Sequence, residues 1–158
     1  MKHTIQALVE NRFGVLARIA SLFSARGFNI DSLAVGETQD PSISCMTIVV
    51  NAEDEIILDQ IKKQLRKLID VITVVDLTKR EYIERELILL KVYIKNKKKQ
   101  EEIKEIFKKY QVSILEKEKD YLIVQIVGNQ HDIQNFLNAV KKFGIKELVR
   151  TGRIAITK

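Results

Sequence analysis

Thr4-Ile5-Gln6-Ala7-Leu8-Val9-Glu10, then Asn11-Arg12-Phe13-Gly14, then Val15-Leu16-Ala17-Arg18-Ile19-Ala20-Ser21-Leu22-Phe23: across this stretch the apolar period changes from two to between three and four. Ile5, Ala7 and Val9 fall on one side of an extended segment, which predicts a strand over Thr4–Glu10. Val15, Leu16, Ile19, Leu22 and Phe23 recur at helical spacing through Ala25, and Gly27 is placed to end that helix in the left-handed conformation. Ile30 to Thr38 reads as a second strand, Gln39-Asp40-Pro41-Ser42 as a turn, and Ile43 to Asn51 as a third strand. Ala52-Glu53-Asp54-Glu55 opens a second helix with acids that suit its dipole, and Ile57, Leu58, Ile61, Leu65 and Leu68 form its apolar stripe. Val71 to Leu77 supplies a fourth strand. The order is β-α-β-β-α-β.

The second half repeats that order. Glu86 to Lys95 alternates as a strand, and Gln100 to Tyr110 carries Ile103, Ile106, Phe107 and Tyr110 at helical spacing. Val112–Lys117 and Tyr121–Val127 form a hairpin around Glu118-Lys119-Asp120. Asp132 to Phe143 is a helix stopped by Gly144, and Ile145 to Ile156 a last strand with a break near Thr151-Gly152. Two such units imply an α+β chain of two consecutive ferredoxin-like domains with antiparallel sheets. The expected boundaries are 1–78 and 84–158, joined by a short connector, 79–83, in the polar stretch from Thr78 to Arg85. In each domain the helices cover one face of the sheet and leave the other face and both edges open. Such a sheet needs a partner, so a homodimer is expected.

With 158 residues, 46% hydrophobic and 30% charged, the chain can build a core without staples. The lone Cys45 excludes an internal disulfide framework and a cysteine-only zinc site. No apolar run is long enough to span a bilayer, and Met1-Lys2-His3-Thr4-Ile5-Gln6 lacks the apolar core of a secretory signal, so the expected location is cytoplasmic. Residues 1–80 hold ten basic and ten acidic side chains; residues 81–158 hold seventeen and eleven, so the whole net charge of +6 lies in the second half. The densest run, Lys95-Asn96-Lys97-Lys98-Lys99, is followed by Glu101, Glu102 and Glu105 at ion-pair spacing, which suits a solvated helix better than a nucleic-acid surface. Neither nucleic acid nor membrane is expected as a partner. Catalytic signatures are missing too. His3 and His131 have no ligand-spaced partners, and there is no nucleophile elbow, Walker loop or dinucleotide fingerprint. Cys45, beside Met46 in an apolar strand, reads as a small buried hydrophobe. The expectation is a chain with no catalytic residues and no metal.

The joint Glu10-Asn11-Arg12-Phe13-Gly14-Val15-Leu16 is the one loop with a chemical reason. A glycine at a helix opening lets a ligand approach bare backbone, and the N–H groups of Gly14, Val15 and Leu16 would face a carboxylate with the helix dipole behind them. Asn11 adds an amide able to meet a carboxylate or an ammonium. From the residues alone a second reading stays open: Asn11 caps the helix and Gly14 relieves crowding. Gly27-Phe28-Asn29-Ile30-Asp31, at the other end of the helix, offers the amide of Asn29 and an apolar wall in Ile30. The two segments can share one pocket only if each comes from a different chain of a dimer.

The run Glu10-Asn11, Gly14-Val15-Leu16-Ala17-Arg18-Ile19, Leu22-Phe23-Ser24, Arg26-Gly27-Phe28-Asn29-Ile30 and Ser32-Leu33 strongly resembles the ACT domain of acetolactate synthase (acetohydroxyacid synthase) regulatory small subunits. The similarity continues through Asp40-Pro41, Ser44, Met46-Thr47-Ile48 and the residues from Gln60 to Val71, and more loosely past Arg85-Glu86-Leu87. Cys45 departs from the arginine common in that family. The resemblance implies a non-catalytic subunit that activates a catalytic large subunit and confers feedback inhibition by valine or another branched-chain amino acid. Thiamine diphosphate, magnesium and FAD are then expected only in that partner. It also implies that Asn11, Gly14, Val15 and Leu16 form the effector loop, while Asn29 and Ile30 come from the opposite protomer. The alternative is a free-standing amino-acid sensor acting through another partner or nucleic acid.

Overall fold

In the computed structural model, which describes residues 2–52, 55–94 and 97–158, the first strand is an inner strand of the first sheet. β1 (Lys2–Glu10) pairs antiparallel with β3 (Ile43–Asn51) on one side and β4 (Val71–Asp76) on the other, and β2 (Ile30–Glu37) adds outside β3. The register sets Ile5 opposite Ile48 and Ala7 opposite Met46, so the expected apolar face of β1 is the face that meets the helices. Helix α1 (Val15–Ser24) buries Val15, Ile19, Leu22 and Phe23 there, and α2 (Glu55–Leu65) buries Leu58, Ile61 and Leu65. Each large apolar side chain so buried contributes about 1.5–3 kcal/mol. Gly27, at φ 70°, ends the α1 turn in the left-handed region, as expected of a helix stop. The expected acidic opening of the second helix falls partly on Glu53 and Asp54, which lie outside the described residues, as do Lys95 and Asn96 of the lysine run.

The second sheet has the same plan. β5 (Tyr82–Tyr93) is flanked by β7 (Tyr121–Gly128) and β8 (Ile145–Arg150), with β6 (Ser113–Lys117) outside β7. Helices α3 (Lys97–Lys109) and α4 (Gln130–Val140) cover one face, Phe136 meeting Phe107 and Tyr110 with ring centroids 6.3 and 5.8 Å apart. Asn129 caps α4 by accepting a hydrogen bond from Asp132 N–H at 2.8 Å, so His131 stands inside the helix and not before it. Both sheets are antiparallel, and the fold is the ferredoxin-like α+β pattern occurring twice.

Two boundaries differ from the sequence expectation. The chain divides into compact units of 1–83 with 153–158, and 84–152. β5 begins at Tyr82, inside the stretch 79–83 expected as a connector, because β9 (Ile154–Thr157) pairs with β5 and Lys158 N–H donates to the Glu81 carbonyl at 3.1 Å. The long last strand is two: Gly152, at φ 80°, turns the chain between β8 and β9. Arg153–Lys158, expected within 84–158, groups with the first unit. There Gln6 Nε2 donates to the Ala155 carbonyl at 2.8 Å, and Arg153 N–H donates to Ser32 Oγ at 3.2 Å. The first sheet's second face, expected open, is therefore partly covered by the chain's own end, and Thr47 and Val49 on it are buried.

Candidate functional site

β1 ends at Glu10, and the chain must turn before α1 can lie back across the sheet. Three backbone bonds hold that turn: Glu10 N–H to the Asp70 carbonyl at 2.8 Å, Asn11 N–H to the Ser42 carbonyl at 2.7 Å, and Arg12 N–H to the Glu10 carbonyl at 3.0 Å. Gly14 then precedes α1 at φ 81°, ψ −5°, a conformation in which a side chain would be strained. It has no side chain to cap the helix, so no side-chain oxygen satisfies the first-turn N–H groups there. Val15 N–H makes one long contact, 3.4 Å to the Arg12 carbonyl.

The side chains of the predicted loop do not all point one way. Val15 is 3% exposed and sits in the core, so it can offer a ligand only its backbone, whereas Leu16 is 45% exposed and Phe13 is fully exposed. Asn11 does not cap α1. Its Nδ2 donates to Glu37 Oε1 at 3.1 Å and to the Pro41 carbonyl at 2.9 Å, tying the loop to the β2–β3 turn. The capping reading of Asn11 falls with this, and its Oδ1 is the group left to accept from an ammonium.

Asn29 and Ile30 lie beyond the other end of α1. The ten residues of α1 span roughly 15 Å, so one chain does not bring Asn29 and Ile30 together with Asn11, Gly14 and Leu16. Asn29 Nδ2 donates to Asp31 Oδ1 at 2.8 Å. That bond first, and Lys2 Nζ at 3.3 Å second, holds the Asp31 carboxyl below the usual carboxylate range. Ile30 is half-buried against the core.

Sequence reasoning missed the pair that braces this loop. Arg18 donates from Nε and Nη2 to Asp70 Oδ2 at 2.8 and 2.7 Å, and a Cβ built on Gly14 would stand 3.1 Å from Arg18 Nη1. Asp70 is buried, and its carbonyl already receives Glu10 N–H. Arg18 and Asp70 are 52 residues apart in the chain, and only the β1–β4 pairing brings them together. Glu37 beside Asn11 was missed for the same reason. Cys45 is half-buried and not the fully buried small hydrophobe expected; its partial burial still pushes the thiol up, against a weaker opposing hydrogen bond from Gln6. Among the described residues no group of three or more His, Cys, Asp or Glu could hold a metal ion, and no helix is long and apolar enough to cross a membrane.

Comparison with known proteins gives two family matches that divide the chain as its repeat does. Residues 5–73 match the acetohydroxyacid synthase small subunit-like ACT domain, and residues 85–158 match the small subunit of acetolactate synthase. A probable acetolactate synthase small subunit of Archaeoglobus fulgidus is 43% identical over all of this chain and 98% of its own length. The acetolactate synthase small subunit of Bacillus subtilis is 39% identical, over all of this chain and 91% of its own. Among solved structures, the small subunit from Thermotoga maritima superposes with a TM-score of 0.88 at 32% identity, covering 100% of this chain and 98% of that one.

Proposed function

The chain belongs to the acetolactate synthase small-subunit family, a regulatory and not a catalytic chain, and from that premise we propose that it activates the catalytic large subunit and makes it sensitive to a branched-chain amino acid. The observation that carries the reading is the opening of α1, where Gly14 presents first-turn N–H groups with no capping side chain. The effector carboxylate sits on the backbone N–H groups of Gly14, Val15 and Leu16, where the helix dipole favours an anion. Asn11 Oδ1 accepts from the ammonium. Leu16 of one protomer and Ile30 of the other enclose the branched side chain, with Asn29 closing the polar end.

Because those residues stand at opposite ends of α1, the site is completed by a homodimer in the cytoplasm. Effector binding and subunit contact then become one equilibrium. A coupling of about 1–3 kcal/mol between effector site and catalytic partner gives strong regulation. The partner holds thiamine diphosphate, magnesium and FAD and performs the chemistry.

Calorimetric titration of the purified chain with valine, leucine and isoleucine tests the reading. Saturable binding by a dimer is expected, and Gly14→Asp abolishes it by placing a carboxylate where the ligand's belongs. Undiminished binding by Gly14→Asp would remove the assignment.

A further inference from the structure

The first half of the chain is neutral overall, and cations of its helical layer pair with flanking acids: Arg12 with Glu10, Arg18 with Asp70, and Lys62 with Asp59 and Asp76. Residues 11–30 contain Arg12, Arg18 and Arg26 and no acid; residues 60–69 contain Lys62, Lys63, Arg66 and Lys67 and no acid. These two stretches are α1 and the C-terminal part of α2 with their following turns, and they pack side by side on the helical layer of the first unit. Between them lies an open cavity of about 470 Å³ lined by Ala17, Arg18, Ser21, Leu22, Arg26, Gln64, Lys67 and Leu68, without an acidic side chain. Arg18 and Leu22 lie one turn apart on α1, while Arg26 and Leu68 come from the turns that follow the two helices.

Two of the three cations are held in place. Arg26 donates to the Leu22 carbonyl at 3.3 Å and to Gln64 Oε1 at 3.0 Å, and Arg18 is anchored on Asp70. Lys67 is exposed. Prepositioned guanidiniums lose little freedom when a carboxylate arrives. The groove combines the long polar side chains of Arg18, Arg26, Gln64 and Lys67 with the apolar Ala17, Leu22 and Leu68. That layout is of a protein interface and not of an enclosed small-molecule site. In the second unit, acids stand among the lysines of the basic stretch: Glu105 pairs with Lys108 at 2.9 Å and Glu102 with Lys142 at 3.1 Å.

We propose that the α1–α2 groove of the first unit docks an acidic stretch of the catalytic large subunit, with Arg26 and Lys67 as the charges that select it. The proposal rests on the regulatory reading above, and it places the partner on the helical layer, while the effector lies at the sheet-side loop before α1.

The test uses the full chain and the purified catalytic subunit, reading complex formation and the rate of acetolactate formation at two salt concentrations. The double variant Arg26→Glu/Lys67→Glu should bind about tenfold more weakly or worse, because like charges then meet across the groove. Ser21→Trp, which fills the groove without changing charge, should also lose activation, and a melting curve for each variant separates lost docking from lost fold. The parent's affinity should fall as salt rises, and the double variant's should fall less. Parent-like activation by both folded variants overturns the groove and leaves the regulatory reading standing. If the parent chain itself neither binds nor activates the catalytic subunit, the regulatory reading fails and takes this proposal with it.

Discussion

Gly14→Ala tests whether the loop before α1 is built around a missing side chain. Gly14 sits at φ 81°, where an L-residue costs about 1–2 kcal/mol in backbone energy alone. The new Cβ would also stand 3.1 Å from Arg18 Nη1, tighter than ordinary contact, so the guanidinium must retreat. It cannot retreat freely, because Nε and Nη2 are held at 2.8 and 2.7 Å on Asp70. Charge-assisted bonds of this kind contribute roughly 1.5–3 kcal/mol, and half exposure of Arg18 reduces that to about 1. Gly14→Ala should therefore cost about 2 kcal/mol, or roughly 4–8 °C in melting temperature for a chain of this size. A double-mutant cycle isolates the contact. In an Arg18→Met background the same change should cost about 0.5–1 kcal/mol less, since nothing is then displaced. Calorimetric melting of the four proteins measures both terms. A cost below about 0.5 kcal/mol for Gly14→Ala would refute the backbone argument. A zero coupling would refute the Arg18 contact.

Arg150 donates from Nε and Nη2 to the buried Glu86 carboxylate at 2.7 and 2.8 Å. Arg150→Met leaves that charge without its partner, at a cost of about 2 kcal/mol once the arginine's half exposure is discounted; Glu86→Gln added to it should recover part of the loss, and no recovery would refute the pairing. Partial burial raises the Cys45 thiol, so the folded chain at pH 8 should react with iodoacetamide more slowly than the urea-unfolded chain; equal rates would refute that shift.

Sequence reading recovered what periodicity encodes and missed what pairing across the sheet creates. Ile43–Asn51 coincides with β3 to the residue, and β1 and α1 differ from expectation by a residue or two at their ends. Apolar alternation is visible in one dimension because each strand has a buried face. The expected connector was misjudged because Tyr82 and Ile83 are extended by pairing with β9, a segment some seventy residues away. The same holds at the site. Gly14 was legible, since a glycine at a helix opening has few explanations, but Arg18–Asp70 and Asn11–Glu37 join residues that are neighbours only after β1, β3 and β4 align. Asn11 is one such case: the helix-cap reading its position left open fails because its side chain spans to the β2–β3 turn.

Arg18 belongs to both halves of the functional argument. Its Nη1 faces the place a Gly14 side chain would occupy, its Nε and Nη2 hold Asp70, and its stem lines the α1–α2 groove. Asp70 in turn fixes the end of β1 through its carbonyl. On the proposed reading, an effector carboxylate at the α1 N-terminus brings a second anion close to a guanidinium already committed to one. On that reading, an effector that draws Arg18 from Asp70 would have the differential contact that an allosteric shift requires. Since the same side chain borders the groove, a change in its commitment is felt where the catalytic partner is proposed to dock. Of the groove's cations Arg18 stands one turn from the bare backbone, while Arg26 lies beyond the far end of α1, so Arg18 is the side chain through which the coupling would start.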